Sequence, residues 1–140
     1  MAVNTARTDK AARGYRSNAV AGLSDQKMLE KGLHGLVVYL NRAMIIHDQA
    51  GDEAADMRKA QSLSDADRLL GFLMQLADVN SEMGSTLVDC YTGIQQLISS
   101  ALNGNGDESR RDLGHALDQA RALERAFKKI EGGGLYGQAH

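Results

Sequence analysis

The sequence predicts an all-α protein: an antiparallel up-down-up-down four-helix bundle with a flexible N-terminal arm and a short C-terminal tail. Three observations carry that expectation. The 140 residues include no proline, no tryptophan and only two Phe and four Tyr, so strand formers are scarce and nothing breaks a helix. Apolar residues recur at alternating steps of three and four along four separate stretches. Short links rich in Gly, Asn, Asp and Ser join these stretches, and short links make consecutive helices antiparallel neighbours. A chain of this length folds as one domain and buries a core without disulfide staples.

Residues 1–22 are small and polar with no sustained apolar period, which predicts a mobile arm. Its apolar anchors are Tyr15 and Val20. They suit a hydrophobic staple beside the first helix or a removable cover over a groove. The bundle is expected over 23–131. Its first helix, 25–49, starts after Ser24 and carries Leu29, Leu33, Leu36, Leu40 and Ala43 on one stripe. Val38, Tyr39, Ile45 and Ile46 add apolar surface that this stripe does not cover. Such a helix is central to its domain or offers a second face to a partner. Gly32 and Gly35, unfavourable inside a helix, predict the close approach of another backbone.

Gly51 and Asp52 turn the chain into a second helix at 53–77, with Leu63, Ala66, Leu70, Leu73 and Ala77 in a seam and Leu69, Met74 and Leu76 beside it. Asn80 or Ser81 caps the third, 82–102, which has the strictest pattern in the chain. Met83, Leu87, Cys90, Ile94, Leu97 and Ala101 form one row, and Val88, Tyr91, Ile98 and Leu102 an adjacent one. Two rows imply two neighbours. After Gly104 and Gly106, Asp107 or Ser109 caps the fourth helix, 108–130, with Leu113, Ala116, Leu117, Ala120, Leu123, Phe127 and Ile130 inside and mostly charged residues outside. Residues 132–140 are expected as a flexible tail.

A formal charge of −2 gives no reason to expect nucleic acid or a membrane surface, and no apolar run reaches the ~18 residues of a membrane span. The arm has no apolar core of a secretion signal, so the cytoplasm is the expected location. Cys90 is the lone cysteine and falls on an apolar stripe, as an inert packed thiol does. Metal chemistry in a bundle needs repeated carboxylate–histidine pairs. Asp112-x-x-His115 and Glu30-x-x-x-His34 each occur once, so neither a metal nor another cofactor is expected. No nucleophile has a base nearby in sequence, which argues against an enzyme. His34, followed by the small Gly35, leaves one alternative: a phosphotransfer or adaptor bundle using that histidine. The other reading is recognition of an apolar helical partner in grooves between helices, where Met28, Met44, Met74 and Met83 would help surfaces adapt. An ordinary core would use the same residues.

The order of several motifs resembles the flagellar secretion chaperone family over roughly 14–127. Tyr15-Arg16-Ser17-Asn18-Ala19-Val20 is similar to its Tyr-x-x-Asn-x-Val segment, and Leu23-Ser24 with Lys27-Met28-Leu29 to its helix 1 entry. Lys59-Ala60 and Leu63 follow after Gly51-Asp52, and Ser81-Glu82-Met83 through Leu87 to Tyr91, Leu97 and Ala101 resembles its Gly-Glu-Ile-Ala-x-x-Leu-x-x-Leu-Tyr run. Departures are Asp25 in place of a Pro, Leu33-His34-Gly35 in place of Leu-Tyr-Asp-Gly, and Phe127 in place of a Trp. The resemblance implies a cytoplasmic, non-enzymatic chaperone around which the disordered C-terminal region of flagellin wraps and folds, with export-gate components as further partners. It also implies that the N-terminal segment is a lid, so Tyr15 and Val20 would cover the groove. The groove itself would draw on Leu29, Leu36, Leu40, Leu70, Leu73, Met74, Leu87, Tyr91 and Ile94. Uncovered apolar surface would also allow a weak homodimer.

Overall fold

Four helices follow one another: α1 Asp25–Gln49, α2 Glu53–Leu76, α3 Glu82–Asn103 and α4 Gly106–Lys129. They come from a computed structural model, which describes residues 25–49 and 53–129. The expected arm, the link at 50–52, Ile130 and the tail at 132–140 lie outside the described residues, as do Tyr15 and Val20. Each helix packs on its two ring neighbours, in the order α1–α2–α3–α4–α1, and neither diagonal pair meets. This is the all-α antiparallel bundle that the spacing predicts. The α1–α2 contact is the most extensive and the α2–α3 contact the thinnest.

The core follows the predicted stripes closely in three helices. Leu33, Leu36, Leu40 and Ala43 of α1, Leu63, Ala66, Leu70 and Leu73 of α2, and Leu113, Ala116, Leu117 and Ala120 of α4 are buried in one cluster. Buried apolar side chains contribute ~1.5–3 kcal/mol each when fully removed from water, so these rows dominate the stability. Helix α3 departs by a phase. Its buried residues are Gly84, Leu87, Tyr91, Ile94, Ile98 and Ala101, a seam that takes alternate members from each of the two predicted rows. Met83 turns outward, and Cys90 and Leu97 sit half-buried on the flank.

Gly84 ties that rotation to the link before α3. A Cβ here would fall inside the backbone of Asp78, against its carbonyl oxygen. The same carbonyl accepts from Ser81 Oγ at 2.9 Å and from the Ser81 N–H at 3.0 Å, while Ser81 Oγ accepts from the Gly84 N–H at 2.9 Å. Ser81 is therefore the N-cap, one of the two residues the sequence offered. At α4 the expected caps give way to Asn105, whose Oδ1 accepts from the Glu108 N–H at 3.2 Å, so the helix begins two residues early. Ser109 instead donates its hydroxyl to the Ala101 carbonyl at 2.6 Å.

Gly32 and Gly35 do admit a close neighbour, but it is made of side chains, not backbone. A Cβ on Gly32 would lie 2.6 Å from Leu73 Cδ2, and one on Gly35 3.1 Å from Leu69 Cδ2. Leucines of α2 thus plug into notches on α1. Gly84→Ala should lower the unfolding free energy by about 1–3 kcal/mol, because the obstacle is backbone that cannot rotate away. Gly114→Ala, in open space on α4, should raise it by about 0.5–1 kcal/mol; urea melts of the two variants provide the check.

Candidate partner-binding cleft

The thin α2–α3 contact opens into an apolar cleft at the end where α1 begins, α2 ends and α3 begins. Leu29 of α1, Leu73 and Leu76 of α2, Ala77 and Asp78 of the link, and Met83, Leu87 and Tyr91 of α3 line it. Its volume is ≈ 150 Å³. An apolar space of about that size holds a benzene-sized group, so the cleft takes one large side chain and not a whole helix. Met83 is 55% exposed at its rim, and Val79, next to the lining Asp78, is 57% exposed. Phe72, one turn before Leu76, is also exposed.

The residues named from the sequence divide sharply. Leu36, Leu40, Leu70 and Ile94 are fully enclosed by the bundle and present nothing to a partner laid on its surface. Leu73, Leu87 and Tyr91 are equally core residues by burial but form the cleft wall. Leu29 and Met74 are half-buried against the core, and Leu29 also reaches the cleft. Sequence periodicity put Ala77 on the α2 stripe, Leu76 beside it and Met83 on the α3 row, but none of them in the groove, because a link and a helix phase bring them to the cleft. Elsewhere, Val38 and Ile45 lie seven residues apart on the outer face of α1 and are exposed, the extra apolar width that the sequence suggested. Tyr39, in the same stretch, is half-buried beneath the Arg42 guanidinium, 5.8 Å from its ring centroid.

The polar candidates are placed as follows. His34 is exposed, and its Nδ1 lies 2.9 Å from Glu124 Oε2 of α4, a partner 90 residues away in sequence. Lys128 approaches the same oxygen at 3.9 Å. Asp112, which the sequence paired with His115, accepts instead from Ser100 Oγ at 2.6 Å. Among the described residues no group of three or more metal-ligating side chains comes together, and no helix is long and apolar enough to cross a membrane. The Cys90 thiol is free and half-buried.

Together these features define a helical bundle with a small apolar cleft and an outward apolar rim. No family model matches the chain, and no curated protein or solved structure proves similar to it.

Burial separates the two roles experimentally. Leu70→Ala should cost about 2–5 kcal/mol in a denaturant melt through the cavity it leaves. Met83→Asp, at the exposed rim, should stay within about 0.5 kcal/mol of the parent.

Proposed function

We propose that the protein is a non-enzymatic, cytoplasmic export chaperone that binds the C-terminal helical segment of flagellin, prevents its premature polymerisation and delivers it to the flagellar export apparatus. The observation that carries this reading is the set of apolar side chains the closed bundle leaves in water. Met83 sits exposed at the cleft, Val79 follows the lining Asp78 in the link, Phe72 is exposed on the last turns of α2, and Val38 and Ile45 are exposed on α1. A disordered client that folds on binding needs such a surface: its apolar positions at i, i+3/i+4 and i+7 gain burial there that offsets their ordering. The ordered motifs that resemble the flagellar secretion chaperones supply the choice of client, and an antiparallel four-helix bundle is the architecture that resemblance implies.

In this reading the enclosed residues Leu36, Leu40, Leu70 and Ile94 hold the shape, while Leu29, Leu76 and Met83 at the cleft, with the half-buried Met74 of α2, meet the client. Tyr15 and Val20 act as the arm's anchors over the groove until flagellin displaces them. A peptide of the flagellin C-terminal region should form a stoichiometric complex with added helical circular dichroism. Met83→Asp should weaken it by about tenfold or more without unfolding the bundle, as loss of a buried anchor does. Deleting residues 1–20 should tighten binding or raise its on-rate; unchanged binding with a lower melting temperature would make the arm a staple only.

One observation favours the second reading, a phosphotransfer bundle using His34. The carboxylate of Glu124 engages Nδ1 of an imidazole that is otherwise largely exposed, with Lys128 close to the same carboxylate. Incubation with a labelled phosphodonor should leave His34 unmodified if the chaperone reading is right. Acid-labile phosphate on His34, with no peptide complex, would reverse the order of the two.

A further inference from the structure

The end of the bundle opposite the cleft is closed by polar groups drawn from all four helices. Lys59 Nζ of α2 donates to His47 Nδ1 of α1 at 2.9 Å and to Ser109 Oγ of α4 at 2.8 Å. Ser109, 1% exposed, donates its own hydroxyl to the Ala101 carbonyl of α3 at 2.6 Å. Beside this chain, Arg110 of α4 grips Asp48 of α1 through two bonds of 2.8 and 3.2 Å.

The chain has a required protonation state. An ammonium only donates, so His47 Nδ1 must accept, and the imidazole is neutral with its proton on Nε2. Protonating it would turn the acceptor into a second donor aimed at Lys59 and place two like charges in contact. Asp48, adjacent to His47, offsets only part of that conflict, because it is engaged first by Arg110, whose guanidinium, with a smaller pull from His47, holds the Asp48 carboxyl below the usual carboxylate range. Arg110 itself adds positive charge from α4. On α2, Asp56 draws Lys59 toward its charged form, but burial outweighs it and pulls the ammonium below its ordinary range. The contribution of α3 at this junction is the neutral Ala101 carbonyl.

We propose that His47 and Lys59 form a pH-sensitive latch, released when the imidazole is protonated, that loosens this end of the bundle and leaves the cleft end closed. Imidazole is the side chain whose charge changes in the mildly acidic range, so the device would respond to modest acidification. The latch does not depend on the identity of any client.

The test is amide hydrogen exchange on the full chain, corrected for intrinsic rates, between about pH 8 and about pH 5. Protection at residues 43–49 and 101–110 should fall about tenfold on acidification, with no comparable loss at residues 84–91. His47→Gln keeps an acceptor without a titrating proton and should abolish the fall, whereas His115→Gln should preserve it. Lys59→Met, which removes the conflicting charge, should abolish it as well. An equal loss in His47→Gln, or no loss in the parent protein, would overturn the latch.

Discussion

Everything else in this bundle depends on how deeply α2 can seat its leucines into α1. Leu73 and Leu69 enter the notches left by Gly32 and Gly35, and the space there is too small for a further methyl group without movement. The Ser62 hydroxyl of α2 adds a bond to the Tyr39 carbonyl at 2.8 Å along the same contact. Helices with small residues at their crossing approach closely and gain dispersion contacts that longer side chains would prevent. The α1–α2 pair is consequently the frame. Helix α4 then closes on α1 with a mixture of apolar seam and side-chain bonds. Helix α3 is left to bridge α4 and α2, and it meets α2 least.

That unequal distribution places the cleft. Near its start α3 is held by the Ser81 cap and the tight passage of Gly84 past Asp78, both features of the link and not of helix-to-helix packing. With the helix pinned there by backbone, the gap between the last turn of α2 and the first turns of α3 cannot close by rigid sliding. Met83, one residue before the pinned glycine, is carried to the outside as a result. The apolar rim and the phase of α3 have a single geometric origin.

Much of this was legible in the sequence, and the failures have physical causes. The four helices, their order and three of the four buried stripes follow from periodicity, because burial on one face leaves a period that composition cannot hide. The α3 stripe was ambiguous because rows one residue apart share the same three-four alternation, and only the Gly84 contact selects between them. Leu36, Leu40, Leu70 and Ile94 were named for a groove since groove and core impose the same pattern on a helix. Burial separates them, and burial is a tertiary property. The partners of His34, His47 and Lys59 come from other helices, so no local reading could have joined them. Ser109 shows the same limit: its position suggested a cap, whereas its hydroxyl spans α3, α4 and α2.

The two ends of the molecule are consequently unlike in the forces that hold them. At one end, four helices share polar groups whose bonds depend on charge state and have strict directional requirements. At the other, apolar side chains line a small cleft among the described residues, and contact there is non-directional and tolerant of shape. A ligand that buries Met83 and Leu76 gains from the second kind of end without disturbing the first. Conversely, a change of charge at His47 alters the first with no direct effect on the cleft wall. The α1–α2 frame runs the length between them and is the most extensive contact in the bundle. Coupling between the ends would have to pass through α3 or α4. Since α3 rests thinly on α2, it is the helix with the least neighbouring packing to carry such coupling.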